Sequence, residues 1–310
     1  MSGFILKRTL LAVPLLIIIS FLTFALNHLS PLEPAEVVLR SQGVPQITEA
    51  LIAETKTALG MDRPFLIRYF DWLGSCFRLD FGESYITGTP VWSLLGPAFL
   101  NTLKLTMVSI VAIFALSVGL GILCALKEGR LLDRSVRGVS FFLTSMPSAW
   151  LAAMMIWYFS VKLDWLPTSG MDSLAGYILP VIILTVSYAG IYFRIVRSSM
   201  LSQLYEDYTL YARACGLPER KITMRMLKNS MQVAVSVFCM AVPIILGSTV
   251  VVESIFAWPG LGTLTVNSIL GRDFPVIQAY VLVLAASFVL FNTLSDLINA
   301  ALNPRLRKEF

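Results

Sequence analysis

The chain has 310 residues, of which 56% are hydrophobic and only 14% charged. A soluble domain carries about 25% charged residues because it must coat its surface with solvated groups. So sparse a supply excludes an ordinary soluble fold and points to a bilayer as the solvent. The net charge of +5 does not imply nucleic acid, because the basic residues follow the membrane topology derived below instead of gathering on one solvated domain.

In chain order, Lys7 and Arg8 precede an apolar run from Thr9 to about Leu26. A charged start followed by an apolar core is also how a secretory signal begins, but this run is as long as a full span. His28-Leu29-Ser30-Pro31 follows it in place of a small-residue cleavage site, so we read a retained first span over residues 1–29. Residues 30–98 form a long connection with structure of its own. Thr48–Leu59 has helical spacing and stops at Gly60. Pro64–Phe77 reads as a second helix with proline near its first turn. Five more stretches reach the roughly 20 apolar residues that a spanning helix needs: about Phe99–Leu126, Val136–Val161, Tyr177–Val196, Met231–Ile255 and Val276–Ile298. Several of these segments contain Pro147, Pro180, Gly190, Pro243 or Gly247. Breaks of that kind are tolerated in lipid where the freed backbone faces protein or a watery cavity, which hints at a path through the bundle.

The fold expected is therefore an all-α membrane protein with six transmembrane helices. Lys7 and Arg8, then Lys127, Arg130, Arg134 and Arg137, then Arg194, Arg197, Arg213, Arg220, Lys221, Arg225 and Lys228, and finally Arg305, Arg307 and Lys308 fall on one side. They are most of the 24 Lys and Arg residues. Basic residues accumulate in cytoplasmic loops, so both termini are expected in the cytoplasm and residues 30–98 outside. A core over 99–303 and a cytoplasmic tail over 304–310 complete the expected organisation.

Cys76, Cys124, Cys215 and Cys239 form no CxxC pair, and His28 stands alone. The cysteines read as small packing residues and His28 as an interfacial side chain, with no metal cage. The chain also lacks a G-x-x-x-x-G-K-[ST] phosphate loop, so any ATP-driven process would need the nucleotide site of another subunit.

The most informative segment is the inner connection, about 197–230, far longer than a reversal requires. Within it, Glu206–Pro218 reads as a short helix, a glycine hinge and a second short helix. Ala212 and Gly216 share a face if the helix continues that far. Gly216 admits a turn that a side chain would resist, and Pro218 suits the start of the next helix. Here Tyr208, Ala212, Arg213, Ala214 and Gly216 match a Y-x-x-x-A-R-A-x-G pattern, and the chain resembles the binding-protein-dependent ABC importer permeases of the peptide/nickel branch. Leu210 stands where the general family has glutamate. Leu227, Lys228 and Asn229 follow the branch's pattern, while Val233 replaces its proline.

The resemblance extends over nearly the whole chain. It includes Leu59–Pro64, Tyr69, Trp72 and Leu79–Ser84, then Val251–Gly262, Arg272–Gln278 and Asn303–Arg305. Ser84–Thr87, Leu166–Gly170 and Ala189–Arg194 look most like permeases for nickel or for metals chelated by opine-type metallophores. The resemblance implies a second homologous permease subunit, two ATPases that bind the ATP cofactor, and an extracytoplasmic solute-binding protein. It implies no cofactor on this chain. Tyr208, Ala212, Arg213, Ala214 and Gly216 would then be the ATPase-coupling residues.

Other readings stand beside these. The inner helix could simply lie at the membrane surface. Arg213 could pair with an acidic partner residue or with lipid head groups. Glu253 at a span's end is functional, or solvated, or part of a structural pair. Asn292 and Asp296 lie one helical turn apart and would bond neighbouring helices or line the path. Trp258-Pro259-Gly260 reads as an outer turn with an interfacial anchor. A dipeptide or oligopeptide would fit the path as well as a chelated metal. An ion-coupled secondary transporter would need charges at mid-membrane, which the spans scarcely hold.

Overall fold

The computed structural model describes residues 2–29 and 34–302, and the side chains within 10–301. The expectations for Ser30 and Pro31, the Lys7 and Arg8 side chains, Asn303-Pro304-Arg305 and the basic tail lie outside these. The helices are α1 (Ser2–His28), α2 (Pro34–Ser41), α3 (Glu49–Ala58), α4 (Phe65–Cys76), α5 (Val91–Leu126), α6 (Leu131–Thr144), α7 (Ser148–Met155) with a π-helical continuation (Ile156–Lys162), α8 (Leu174–Leu204), α9 (Asp207–Ala214), α10 (Glu219–Ser248), α11 (Val250–Ile255), α12 (Leu261–Gly271) and α13 (Phe274–Leu302). Among the described residues there is no strand, only an isolated bridge between Glu83 and Pro90.

Helices α1, α5, α8, α10 and α13 are long and apolar enough to cross a membrane. The stretch Val136–Val161, expected as a span interrupted at Pro147, lies within a bent pair. α6 and the α7 segment meet at 98° across Ser145–Pro147. Proline disfavours a helical residue before it and removes a backbone donor, and Pro147 caps the start of α7. Pro180 and Pro243, by contrast, lie inside the continuous helices α8 and α10. Gly190 is a packing residue rather than a break: a Cβ there would lie 2.5 Å from the Thr144 methyl and 3.1 Å from the Ser140 carbonyl.

The chain divides into two compact units. The first holds Met1–Thr102 and Pro259–Val289. In it, α4 packs on α1 through Phe21, Phe24, Phe65, Tyr69 and Trp72. The Ser20 hydroxyl and Tyr69 hydroxyl are 2.9 Å apart, and His28 stacks on Phe65 at 5.1 Å. The opposite face of α1 leaves Leu11, Leu15, Ile18, Leu22 and Leu26 exposed, a surface suited to lipid and costly in water. Thr48 caps α3 through Leu51 N–H. Gly60, at φ +65°, closes that helix with the Gly60→Thr57 and Met61→Lys56 backbone bonds of a Schellman ending.

The second unit holds Leu103–Trp258 and Leu290–Phe310. Its interior contains Leu105, Ile183, Val252 and Trp258, then Ile113, Tyr192, Phe238 and Ile245. Trp258 is no interfacial anchor. It is fully buried, edge-on to Tyr177 at 4.6 Å. Helix α11 ends with Ala257 in the left-handed region (φ +47°), and the Trp258 N–H turns back to the Glu253 carbonyl at 2.8 Å. That reversal carries the indole inward.

Candidate functional site

Helix α8 ends at Leu204, Tyr205 and Glu206 turn the chain, and α9 runs for two turns. Thr209 is buried and its hydroxyl donates to the Gln203 carbonyl at 2.7 Å. The Tyr208 hydroxyl donates to Gln203 Oε1 at 2.8 Å, and Asn229 Nδ2 donates to the same oxygen at 3.3 Å. Gln203 thus joins the end of α8 to α9 and α10. Ala212 is buried with Ala125, Met200, Ile222 and Met226, alongside Leu217.

The end of α9 explains the sequence there. The Gly216 N–H bonds to the Arg213 carbonyl at 2.9 Å and the Leu217 N–H to the Ala212 carbonyl at 3.1 Å, with Gly216 at φ +71°. These are the paired bonds of a Schellman ending, and Leu217 shares a cluster with Ala212, the apolar contact that accompanies it. Pro218 then caps α10.

Two expectations are corrected. The helix stops at Ala214, so Ala212 and Gly216 do not share a helical face. Ala212 packs inside the chain, while Gly216 is exposed with open space around it. The second helix is not short either: it is the first part of the 30-residue α10. Arg213 pairs within the chain, with Glu219 at 3.0 Å. Both side chains are exposed, so that contact contributes little stability. The surface α9 offers outward contains Leu210, Tyr211 and Ala214, close in sequence to exposed Tyr205.

Sequence reading overlooked Asp133. Its side chain is fully buried in the first turn of α6, where a helix N-terminus favours an anion. Arg197 of α8 donates Nε to Oδ1 at 2.7 Å and an η-nitrogen to Oδ2 at 2.8 Å. The Gly129 N–H adds a bond at 3.1 Å, and Arg137 lies 3.5 Å away. The pair fixes α6 to α8 two turns before α8 ends. Gly121 helps: a Cβ there would stand 2.7 Å from Val196 Cγ1, so α5 reaches α8 only because it is absent. The Asp133/Arg137 spacing, one turn apart on an amphipathic helix, was the available signal.

Glu253 is fully buried and accepts from the Thr249 hydroxyl at 3.0 Å, so it is a bonded carboxylate and not a solvated one. Asn292 and Asp296 are half-buried on α13. Among the described residues, no group of three or more His, Cys, Asp or Glu could hold a metal ion.

Residues 117–308 match the binding-protein-dependent transport system inner membrane component family, and residues 1–118 match the N-terminal family of such membrane components. The chain belongs to that permease family. The permease is accordingly a multi-pass inner-membrane protein. It is 54% identical over 308 residues, 99% of both chains, to the metal-staphylopine import system permease protein CntB of Staphylococcus aureus (strain NCTC 8325 / PS 47). It is 35% identical over 308 residues, again 99% of both, to the glutathione transport system permease protein GsiC of Escherichia coli (strain K12). In fold, the permease is similar to a chain of the inward-facing MetNI methionine ABC transporter, with a TM-score of 0.58 at 21% identity over 68% of this chain and 96% of that one. This establishes the ABC permease fold.

Proposed function

We propose that the chain forms, with a second homologous permease subunit, the path by which an ATP-driven importer carries a metal–metallophore complex of opine type across the bacterial inner membrane. The observation that carries this reading is the 54% identity over 99% of both chains to a metal-staphylopine import permease. A chelator fills the ion's coordination shell, so such a path needs polar groups and room in place of a His/Cys cage. Two separate ATPases would bind and hydrolyse the ATP, and an extracytoplasmic solute-binding protein would deliver the cargo. The chain itself would have no catalytic site and no cofactor.

In this reading the bent α6–α7 pair counts as the third of six spans, both termini are cytoplasmic and residues 30–98 lie outside. Residues 197–230 then face the ATPase. Helix α9, with Tyr208, Ala212, Arg213, Ala214 and Gly216, is the coupling element. Tyr208 and Ala212 bind it to its own chain, Gly216 shapes its end, and Arg213 and Ala214 belong to its exposed surface. What supports this role is the construction described above: a short helix tied to α8 and α10 passes a push at α9 directly to two long helices. Glu253, Asn292 and Asp296 act as structural polar groups or border the path.

The identity of 35% to a glutathione permease favours a peptide cargo as the second reading. Uptake of radiolabelled nickel as free ion and as an opine complex, set beside a labelled dipeptide, separates the two. Uptake of the complex alone supports the proposal, and uptake of the peptide alone replaces it.

A further inference from the structure

In the first unit, a cavity of about 820 Å³ opens among α1, α2, α4, the 82–88 turn and the start of α13. Pockets of roughly 300–1,000 Å³ hold drug-sized molecules. Its walls mix polar and apolar groups about evenly, and the hydrogen-bonding capacity of several polar ones is unmet. Arg68 lines it, and among the described residues no carboxylate pairs with the guanidinium. Its neighbours are the Met61 carbonyl at 3.5 Å and the Phe24 ring at 5.9 Å. Trp72 lines it, and its indole N–H is buried without an acceptor. Tyr85 lines it with a hydroxyl that has no partner among the described residues. Burial pushes the Tyr85 phenol above its ordinary range, while the nearby Arg68 charge opposes that shift. Arginine and tryptophan only donate, and an unmet buried donor is costly. One carboxylate on the wall, Asp71, is already engaged by Arg63 at 3.4 Å. Another, Glu83, makes no ion pair among the described residues.

The wall is also fixed in place. The Ser84 hydroxyl donates to Asp273 Oδ2 at 2.5 Å, and the Tyr85 N–H donates to Oδ1 at 3.0 Å. The Ser41 hydroxyl donates to the Tyr85 carbonyl at 2.7 Å. Ile86 rests where a Cβ on Gly271 would stand, 2.2 Å from its Cδ1. A wall held this way is pre-organised, which lowers the entropic cost of binding.

We infer that this cavity is a binding site for a small amino-acid-derived zwitterion, whose carboxylate is received by Arg68, Trp72 and Tyr85 and whose cationic amine or metal centre lies toward Glu83. The inference rests on the proposed function for the outward placement of residues 30–98 and for the metal centre of the ligand. It gives the importer a site on the permease itself, where the end of α1 and the start of α13 meet residues 30–98, for a ligand of the cargo's chemistry.

The test is equilibrium binding to the full chain in lipid nanodiscs. The probe is nickel(II)–nicotianamine, a tricarboxylate chelate, and nickel(II) chloride is the control. Saturable binding of the chelate and none of the bare ion are expected. Arg68→Gln should weaken binding by about tenfold or more, the scale of a hydrogen bond to a charged group. Tyr85→Phe, which leaves the backbone bonds to Ser41 and Asp273 intact, should weaken it several-fold. It covers the case in which Arg68→Gln fails to fold. No saturable binding, or equal binding by wild type and Tyr85→Phe, overturns the inference. Uptake by the assembled transporter reads the transport proposal separately: import of the chelate without binding at the cavity defeats the cavity alone.

Discussion

Arg197 holds the Asp133 carboxylate through two hydrogen bonds, at 2.7 and 2.8 Å, with the aspartate side chain fully buried. A paired charge of this kind contributes less than its Coulomb energy suggests, because both groups lose water. Breaking it is a different matter, since one buried charge is left alone.

Arg197→Ala is therefore expected to destabilise the chain by about 3–5 kcal/mol, the usual cost of orphaning a buried charge. Asp133→Asn should cost less, because it leaves Arg197 at 15% exposure with some access to solvent. Thermal unfolding in detergent checks this. Equal stability of Arg197→Ala and wild type would show that the clasp does not form.

Gly216 sits at φ +71° with nothing within 4 Å of a built Cβ. The obstacle to substitution is therefore the backbone, at roughly 1–2 kcal/mol for an L-residue in the left-handed region. Gly216→Val should reach the membrane in normal amounts and uncouple ATP hydrolysis from uptake in the assembled importer. Normal uptake by this variant would end the coupling role of α9.

Two glycines of the long helices α8 and α10 should respond oppositely. At Gly190 a Cβ meets Thr144 and a backbone carbonyl, whereas at Gly247, in the last turn of α10, it meets open space. Gly190→Ala should cost about 1–3 kcal/mol through overpacking. Gly247→Ala should be neutral or stabilising by up to about 1 kcal/mol. Unfolding midpoints of the two variants give the comparison.

The cysteines report topology. Cys215 is exposed beside Gly216, and Cys76 is buried. Burial, with help from Asp80, pushes the Cys76 thiol up to about 12. A raised thiol pKa means little thiolate near neutrality, and reaction that grows only as pH climbs toward that value. A membrane-impermeant maleimide at pH 7 should label Cys215 only when the cytoplasmic face is open, and Cys76 from neither side. Labelling of Cys215 in intact cells would invert the proposed topology.

Much of this was legible in the sequence because the signals were local. The apolar lengths marked α1, α5, α8, α10 and α13. Thr48, Gly60 and Pro64 marked the bounds of α3 and α4. Gly216 marked a helix ending. What escaped was set by contacts between distant residues. Asp133 looks like one more surface charge until α8 brings Arg197 to it. Trp258 looks interfacial until the left-handed Ala257 turns it inward. Pro147 marked a break, but the 98° size of the bend could not be read, since an apolar run has the same length straight or folded. Ala212 and Gly216 would share a face only if the helix reached Gly216, and it ends two residues short of it.

The most direct test of the central claim is uptake in proteoliposomes that contain the permease, a second permease subunit, the two ATPases and the binding protein. The account predicts ATP-dependent accumulation of nickel supplied as an opine complex, none of free nickel, and no ATP hydrolysis by the purified permease alone. Accumulation without ATP, or ATP hydrolysis by the permease alone, would contradict it.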